Sequence, residues 1–171
     1  QEIQGKWYYL DPVDGHMWTG WQNIEGETYY LTPGDNGSAK TGWQCIDNQW
    51  YYFKAAPSCA LILGWQTIDG KQYYLDPDSN GAALTGWQCI DNQWYYFKAA
   101  PSCAALTGWQ KLSGKWYYFD PSDAHILSGL QNIDGKLYNL DPENDSTAAS
   151  GWKKINDSWY LFAQPDSCAA L

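Results

Sequence analysis

Apolar and aromatic residues gather along this chain in short bursts that return at a fixed interval and are separated by polar turns. Trp43-Gln44-Cys45-Ile46 and Trp50-Tyr51-Tyr52-Phe53 are two such bursts. Their length and aromatic content read as β-strands, whose successive side chains point to opposite faces. Between the two bursts stands the turn pair Asp47-Asn48, and Glu25-Gly26, Asp69-Gly70, Ser113-Gly114 and Asp134-Gly135 hold the same place elsewhere. A type I′ turn needs positive φ at both central residues, which Gly, Asn and Asp tolerate best. The pattern predicts tight β-hairpins. The turn also predicts their register: Ile46 opposite Gln49, Cys45 opposite Trp50, Gln44 opposite Tyr51 and Trp43 opposite Tyr52. Trp43, Cys45, Trp50 and Tyr52 then share one face. Gln44, Ile46, Tyr51 and Phe53 share the other, which reads as core, as do Ile90, Tyr95 and Phe97 in the copy. Pro12, Pro33, Pro77, Pro121 and Pro142 close the second strand, because proline has no N–H to give to a ladder.

The hairpins recur. Gly-Trp pairs stand at Gly20-Trp21, Gly42-Trp43, Gly64-Trp65, Gly86-Trp87, Gly108-Trp109 and Gly151-Trp152, with Gly129-Leu130 as a degenerate member. Residues 42–60 return letter for letter at 86–104. The units run approximately 1–19, 20–41, 42–63, 64–85, 86–107, 108–128, 129–150 and 151–171. One hairpin alone is marginal in water. Stacked hairpins bury a shared column of rings, and units that touch only their neighbours can be duplicated without loss of the fold. The expected fold is all-β: a β-solenoid of stacked two-stranded hairpins, with almost no helix. Gln1–Gly5 matches the stretch that follows a Gly-Trp pair, and Ala169–Leu171 matches Ala104–Leu106, which runs into the next pair. The single array is therefore expected to belong to a longer protein.

Composition sharpens this. Twelve Trp and fourteen Tyr stand against four Phe and one Met, so rings must form the core or be displayed. The net charge of -9 gives no basic face for nucleic acid and no basic patch for anionic lipid. It suits a cationic ligand. No apolar run approaches the roughly 20 residues of a membrane span, so no membrane insertion is expected. No nucleophile–base set stands out, and the acids repeat with the units, so no enzyme is expected. His16 and His125 fall at equivalent loop positions too far apart for one site. Asp76–Gly81 begins like a calcium loop, but the twelfth position holds Trp87 where a Glu is needed. Asx turns account for it better, and no metal or cofactor is expected.

The repeat TGWQ-x-IDG-x-WYYLDP-x-x-G resembles the cell-wall-binding repeat superfamily. This groups the choline-binding repeats of Gram-positive surface proteins, the glucan-binding repeats of glucansucrases and the repetitive domains of clostridial toxins. The resemblance spans the whole chain and implies a left-handed spiral of hairpins. In choline-binding members, two tryptophans of one unit and a tyrosine of the next box a trimethylammonium group. Ring faces attract such a desolvated cation by about 2 kcal/mol. Carried over, the resemblance implies boxes at Trp43, Trp50 and Tyr74, and at Trp87, Trp94 and Tyr118. Trp109 with Trp116 is weaker, because Asn139 takes the third place. The pair Trp152 and Trp159 is weaker too. Thr28 and Gln72 replace the second tryptophan, as in glucan-type units, and Leu130 and Leu137 remove both from unit 129–150.

The implied function is a non-catalytic attachment module, secreted and held on the bacterial cell surface by the choline of teichoic acid or a similar polysaccharide. Two alternatives stay open: an α-glucan or other carbohydrate binder, and a structural stalk. The twin units each carry two cysteines at the same offset, which favours disulfides Cys45–Cys59 and Cys89–Cys103 among the three possible connectivities. Cys168 is left over, as a free thiol or a link for self-association.

Overall fold

A computed structural model describes residues 1–163. The calls on Cys168 and on residues 169–171 lie outside them. The described residues are all-β, built of antiparallel hairpins with three short 3-10 turns among them. They form two compact units, one of residues 1–85 with 99–104, the other of 86–98 and from 105 onward.

The register is the expected one. Strands Gly42–Ile46 and Gln49–Phe53 pair Trp43 with Tyr52, Gln44 with Tyr51, Cys45 with Trp50 and Ile46 with Gln49. At the turn, Asp47 and Asn48 have φ of 50° and 62°. Asp69 and Gly70, at 50° and 72°, repeat the geometry, and glycine adopts it without a Cβ penalty. A glutamine two residues after the first-strand glycine locks the entry to five of the hairpins. Gln44 Nε2 donates to the Thr41 carbonyl at 2.7 Å, and Gln22, Gln66, Gln110 and Gln131 repeat the bond three residues back.

Each first-strand glycine faces a large apolar side chain. Gly42 faces Phe53 and Gly64 faces Leu75 in the first unit; Gly108 faces Phe119 and Gly129 faces Leu140 in the second. These four side chains are fully buried. Truncating such a phenylalanine to alanine removes about 3–5 kcal/mol.

Units 20–41, 64–85 and 129–150 depart from the two-stranded expectation. Their second strand ends in a 3-10 turn at Pro33–Asp35, Pro77–Ser79 or Pro142–Asn144, and the chain then returns as a short third strand. Proline at the start of the turn presets φ, and a left-handed residue (Asn36, Asn80 or Asp145) reverses the chain at its end. Asp76 caps its turn by accepting from the Asp78 N–H, so Asp76–Gly81 is the expected Asx turn.

Candidate ligand-binding site

Trp87 and Trp94 lie on one face of the 86–97 hairpin. Trp87 pairs across the ladder with Tyr96, and Trp94 pairs with Cys89. The two indoles are diagonal neighbours, with centroids 6.5 Å apart and planes at 77°. Tyr117 of the next hairpin meets Trp87 edge-on at 5.2 Å and 65°. The Ile126 N–H donates to the Trp94 carbonyl at 2.8 Å, which fixes Ile126 beside the rings. Pro142, Asp145 and Ser146 complete the wall of a cavity of about 520 Å³. Trp87 is 39% exposed and Trp94 51%, so both indoles are reached in part from solvent. Among the described residues, the Asp145 carboxylate has no hydrogen-bond or ion-pair partner. Burial raises the Tyr117 phenol above its usual range, with Asp145 adding to it, so that ring stays neutral. Aromatic faces beside an unpaired carboxylate suit a cation with an apolar shell.

The third ring differs from the one expected. Trp87 meets Tyr117, and Trp43 meets Tyr73 at 4.8 Å. Tyr74 and Tyr118 pack instead on the tryptophans of their own hairpins, Trp65 and Trp109, at 5.3 and 5.0 Å. Adjacent strand residues point to opposite faces. The ring that reaches back to the preceding tryptophan therefore belongs to the inward set, with Tyr51, Tyr73, Tyr117 and Tyr138.

This changes the other ring sets. Trp43, Trp50 and Tyr73 come together, but Cys103 and Ala104 are buried in the same cluster, and both indoles are half-buried. Trp109 and Trp116, with centroids 6.4 Å apart, gain Tyr138 at 4.6 Å from Trp109, so Asn139 does not leave that set incomplete. There Lys111 already places its ammonium 5.6 Å from the Trp116 ring centroid. The Trp116 indole N–H is buried without a partner among the described residues. Trp152 and Trp159 are 66% and 64% exposed, and among the described residues no tyrosine ring is brought against them.

Cys45, Cys59, Cys89 and Cys103 stand as free thiols in the structure, which does not confirm the expected pairs Cys45–Cys59 and Cys89–Cys103. Cys45 and Cys89 are exposed on the outer face of their hairpins, whereas Cys59 and Cys103 are buried. Equal offsets reflect the duplication, and the buried pair serves as small core residues. Burial raises both thiols above their usual range. His16 and His125 each bond an aspartate of their own loop, Asp14 and Asp123.

Tyr73, Tyr117 and Tyr138, the buried inward tyrosines that contact these tryptophans, were not among the expected site residues, nor were Ile126 and Asp145 of the Trp87 cavity wall. The signal for the tyrosines was available in the strand alternation. Asp145 was hidden in a loop whose acids vary from unit to unit.

The family model of the choline-binding repeat matches residues 18–56, 62–100 and 84–128. A second model, of a cell wall binding repeat, matches residues 1–17 and 150–164. The chain belongs to the choline-binding repeat family. Its structure is similar to CbpJ from Streptococcus pneumoniae TIGR4, at 31% identity over 96% of this chain and 56% of that one, with a TM-score of 0.80. It is also similar to choline binding protein F from Streptococcus pneumoniae, at 31% identity over 96% of this chain and 55% of that one, with a TM-score of 0.78. That protein has been solved in the presence of a peptidoglycan analogue, a tetrasaccharide-pentapeptide. This chain spans little more than half the length of either relative. A comparison with curated proteins gave no match.

Proposed function

We propose that the chain is a non-catalytic module of a secreted protein that attaches it to the bacterial cell surface by binding choline, displayed on teichoic acid or a related polysaccharide. The observation that carries this reading is the Trp87–Trp94–Tyr117 pocket with the unpaired carboxylate of Asp145 in its wall. The part-exposed indoles of Trp87 and Trp94 offer the quaternary ammonium electron-rich ring faces, the buried Tyr117 ring backs Trp87, and the carboxylate offers the opposite charge. An ordinary ammonium keeps its water through N–H donors; a trimethylammonium has none to satisfy, so an apolar box costs it little. Family membership supports the ligand class. The solenoid of eight units expected from the sequence belongs to the same proposal, as does membership of a longer surface protein. No helix among the described residues is long and apolar enough to cross a membrane, and the polymer itself would provide the attachment. A polymer carries many cholines, so weak sites on one chain act together.

The test is a tryptophan-fluorescence titration of the chain with choline chloride and, in parallel, sodium chloride. A saturable change with choline alone supports the proposal. Equal, unsaturable responses to both salts contradict it.

A further inference from the structure

One hydrogen bond closes seven of the hairpins among the described residues. Its donor is the N–H two residues before the next first-strand glycine, and its acceptor is a carbonyl of the hairpin just completed. Trp18 donates to Tyr9, Lys40 to Tyr30, Ile62 to Tyr52, Leu84 to Tyr74, Leu106 to Tyr96, Leu127 to Tyr118 and Ala149 to Asn139, at 2.8–3.0 Å. The seven positions are structurally equivalent, and six of them carry an apolar side chain. Lys40 is the exception, and it is half-buried like most of the others. A charged head taken from water at an apolar place is costly unless an opposite charge or hydrogen bonds offset the lost solvation.

Lys40 finds no such offset within the chain. Among the described residues its ammonium has neither an ion-pair partner nor a hydrogen bond. Asp35 feels the Lys40 charge, but its carboxylate is already engaged by Lys6 Nζ at 2.6 Å and Ser38 Oγ at 2.7 Å, which hold it below the usual carboxylate range. Two cations therefore stand against one carboxylate. Both lysines line a cavity of about 560 Å³ in the first compact unit, and no acid lines it with them. Trp7, Thr41 and Tyr52 stand in the same wall. Among the described residues the Trp7 indole N–H and the two hydroxyls have no hydrogen-bond partner.

We infer that this cavity is an anion site, which takes the phosphoryl group of a phosphate ester between Lys40 and Lys6, with the organic part of the ester against Trp7 and Tyr52. A lysine ammonium meets phosphate as a point charge with three donors. A phosphoryl group brings several acceptor oxygens, enough for both ammoniums and for the free O–H and N–H donors of the wall. A carboxylate brings two oxygens and one charge, and fills this donor set less well. The cavity is also larger than a phosphoryl group alone, which leaves room for an esterified alcohol beside the rings. The net charge of the chain is -9, so its overall field repels anions, and the local excess of ammonium at Lys40 is what draws one in. The Trp87 pocket selects a cation by ring faces and a carboxylate; the Lys40 pocket carries the opposite chemistry and does not depend on the choline reading.

The experiment is a calorimetric titration of the full chain, at constant ionic strength, with glycerol 3-phosphate, with the diester of phosphate and two glycerols, and with sodium acetate. Saturable binding of either ester, with acetate weaker or silent, supports the inference. The better ester tells a free monoester from a phosphodiester chain as the source. Lys40→Leu puts at this place the residue found at 84, 106 and 127, so it is expected to melt no lower than the wild type and to weaken ester binding about tenfold or more, the equivalent of a charge-assisted hydrogen bond. Lys40→Gln, which keeps a polar stem, is expected to lose as much, and Lys40→Arg to stay within a few-fold of the wild type. Lys71→Gln removes an exposed lysine outside the cavity and is expected to change nothing. No binding of either ester, acetate binding as strong as theirs, or equal losses in Lys71→Gln and Lys40→Gln overturns the inference.

Discussion

Trp87 and Tyr117, thirty residues apart, meet edge-on with ring centroids 5.2 Å apart, and Tyr118 next in sequence turns to Trp109 instead. In the proposed site the third ring is therefore a buried, inward tyrosine of the following hairpin. Tyr117→Ala is expected to weaken choline binding by about thirtyfold, the equivalent of a desolvated cation–π contact of ~2 kcal/mol. Tyr118→Ala is expected to leave binding at Trp87 within a few-fold of the wild type. Calorimetric titration of the two variants checks this; equal losses would place the third ring wrongly.

Asp145 supplies charge where the rings supply faces. Asp145→Asn is expected to weaken choline binding up to about fivefold, in keeping with the ~1 kcal/mol ceiling of a partly exposed ion pair. Added salt screens exposed charges, so the loss shrinks at high ionic strength. Titrations of both proteins at low and high salt test this, and a loss that salt leaves unchanged would argue against a charge effect.

Lys111 places its own ammonium over Trp116. This internal cation competes with any ligand for the Trp109–Trp116–Tyr138 set. Lys111→Met keeps the stem and removes the charge. Equilibrium dialysis with labelled choline is expected to show one more bound choline per chain. An unchanged stoichiometry would mean that the set is shut by packing alone.

Within one hairpin the sequence was nearly sufficient. Turn residues with positive φ set the register of residues 42–53, and alternation set the faces, as found. Between hairpins it was not. Both Tyr73 and Tyr74 are tyrosines, and composition alone does not say which one faces back to Trp43; the packing of the inward face decides it. The third strands of units 20–41, 64–85 and 129–150 were also unread, although Pro77 and Asn80 carry the turn chemistry that produces one of them.

The four described thiols divide by burial. Under native conditions Cys45 and Cys89 are expected to react readily with iodoacetamide. Cys59 and Cys103, buried and with raised pKa values, are expected to react only on unfolding, since the thiolate is the reactive form. Trypsin places all four on different peptides, so mass spectrometry reads each one. Four peptides unlabelled even after unfolding would restore the disulfides.

The most direct measurement is an isothermal titration of the whole chain with choline, repeated on Trp94→Ala. The account predicts saturable binding in the wild type and a loss of at least tenfold at the Trp87 pocket in the variant, because Trp94 supplies the second ring face while lying 51% exposed and outside the core. Binding of the same strength in both proteins, or none in either, would contradict it.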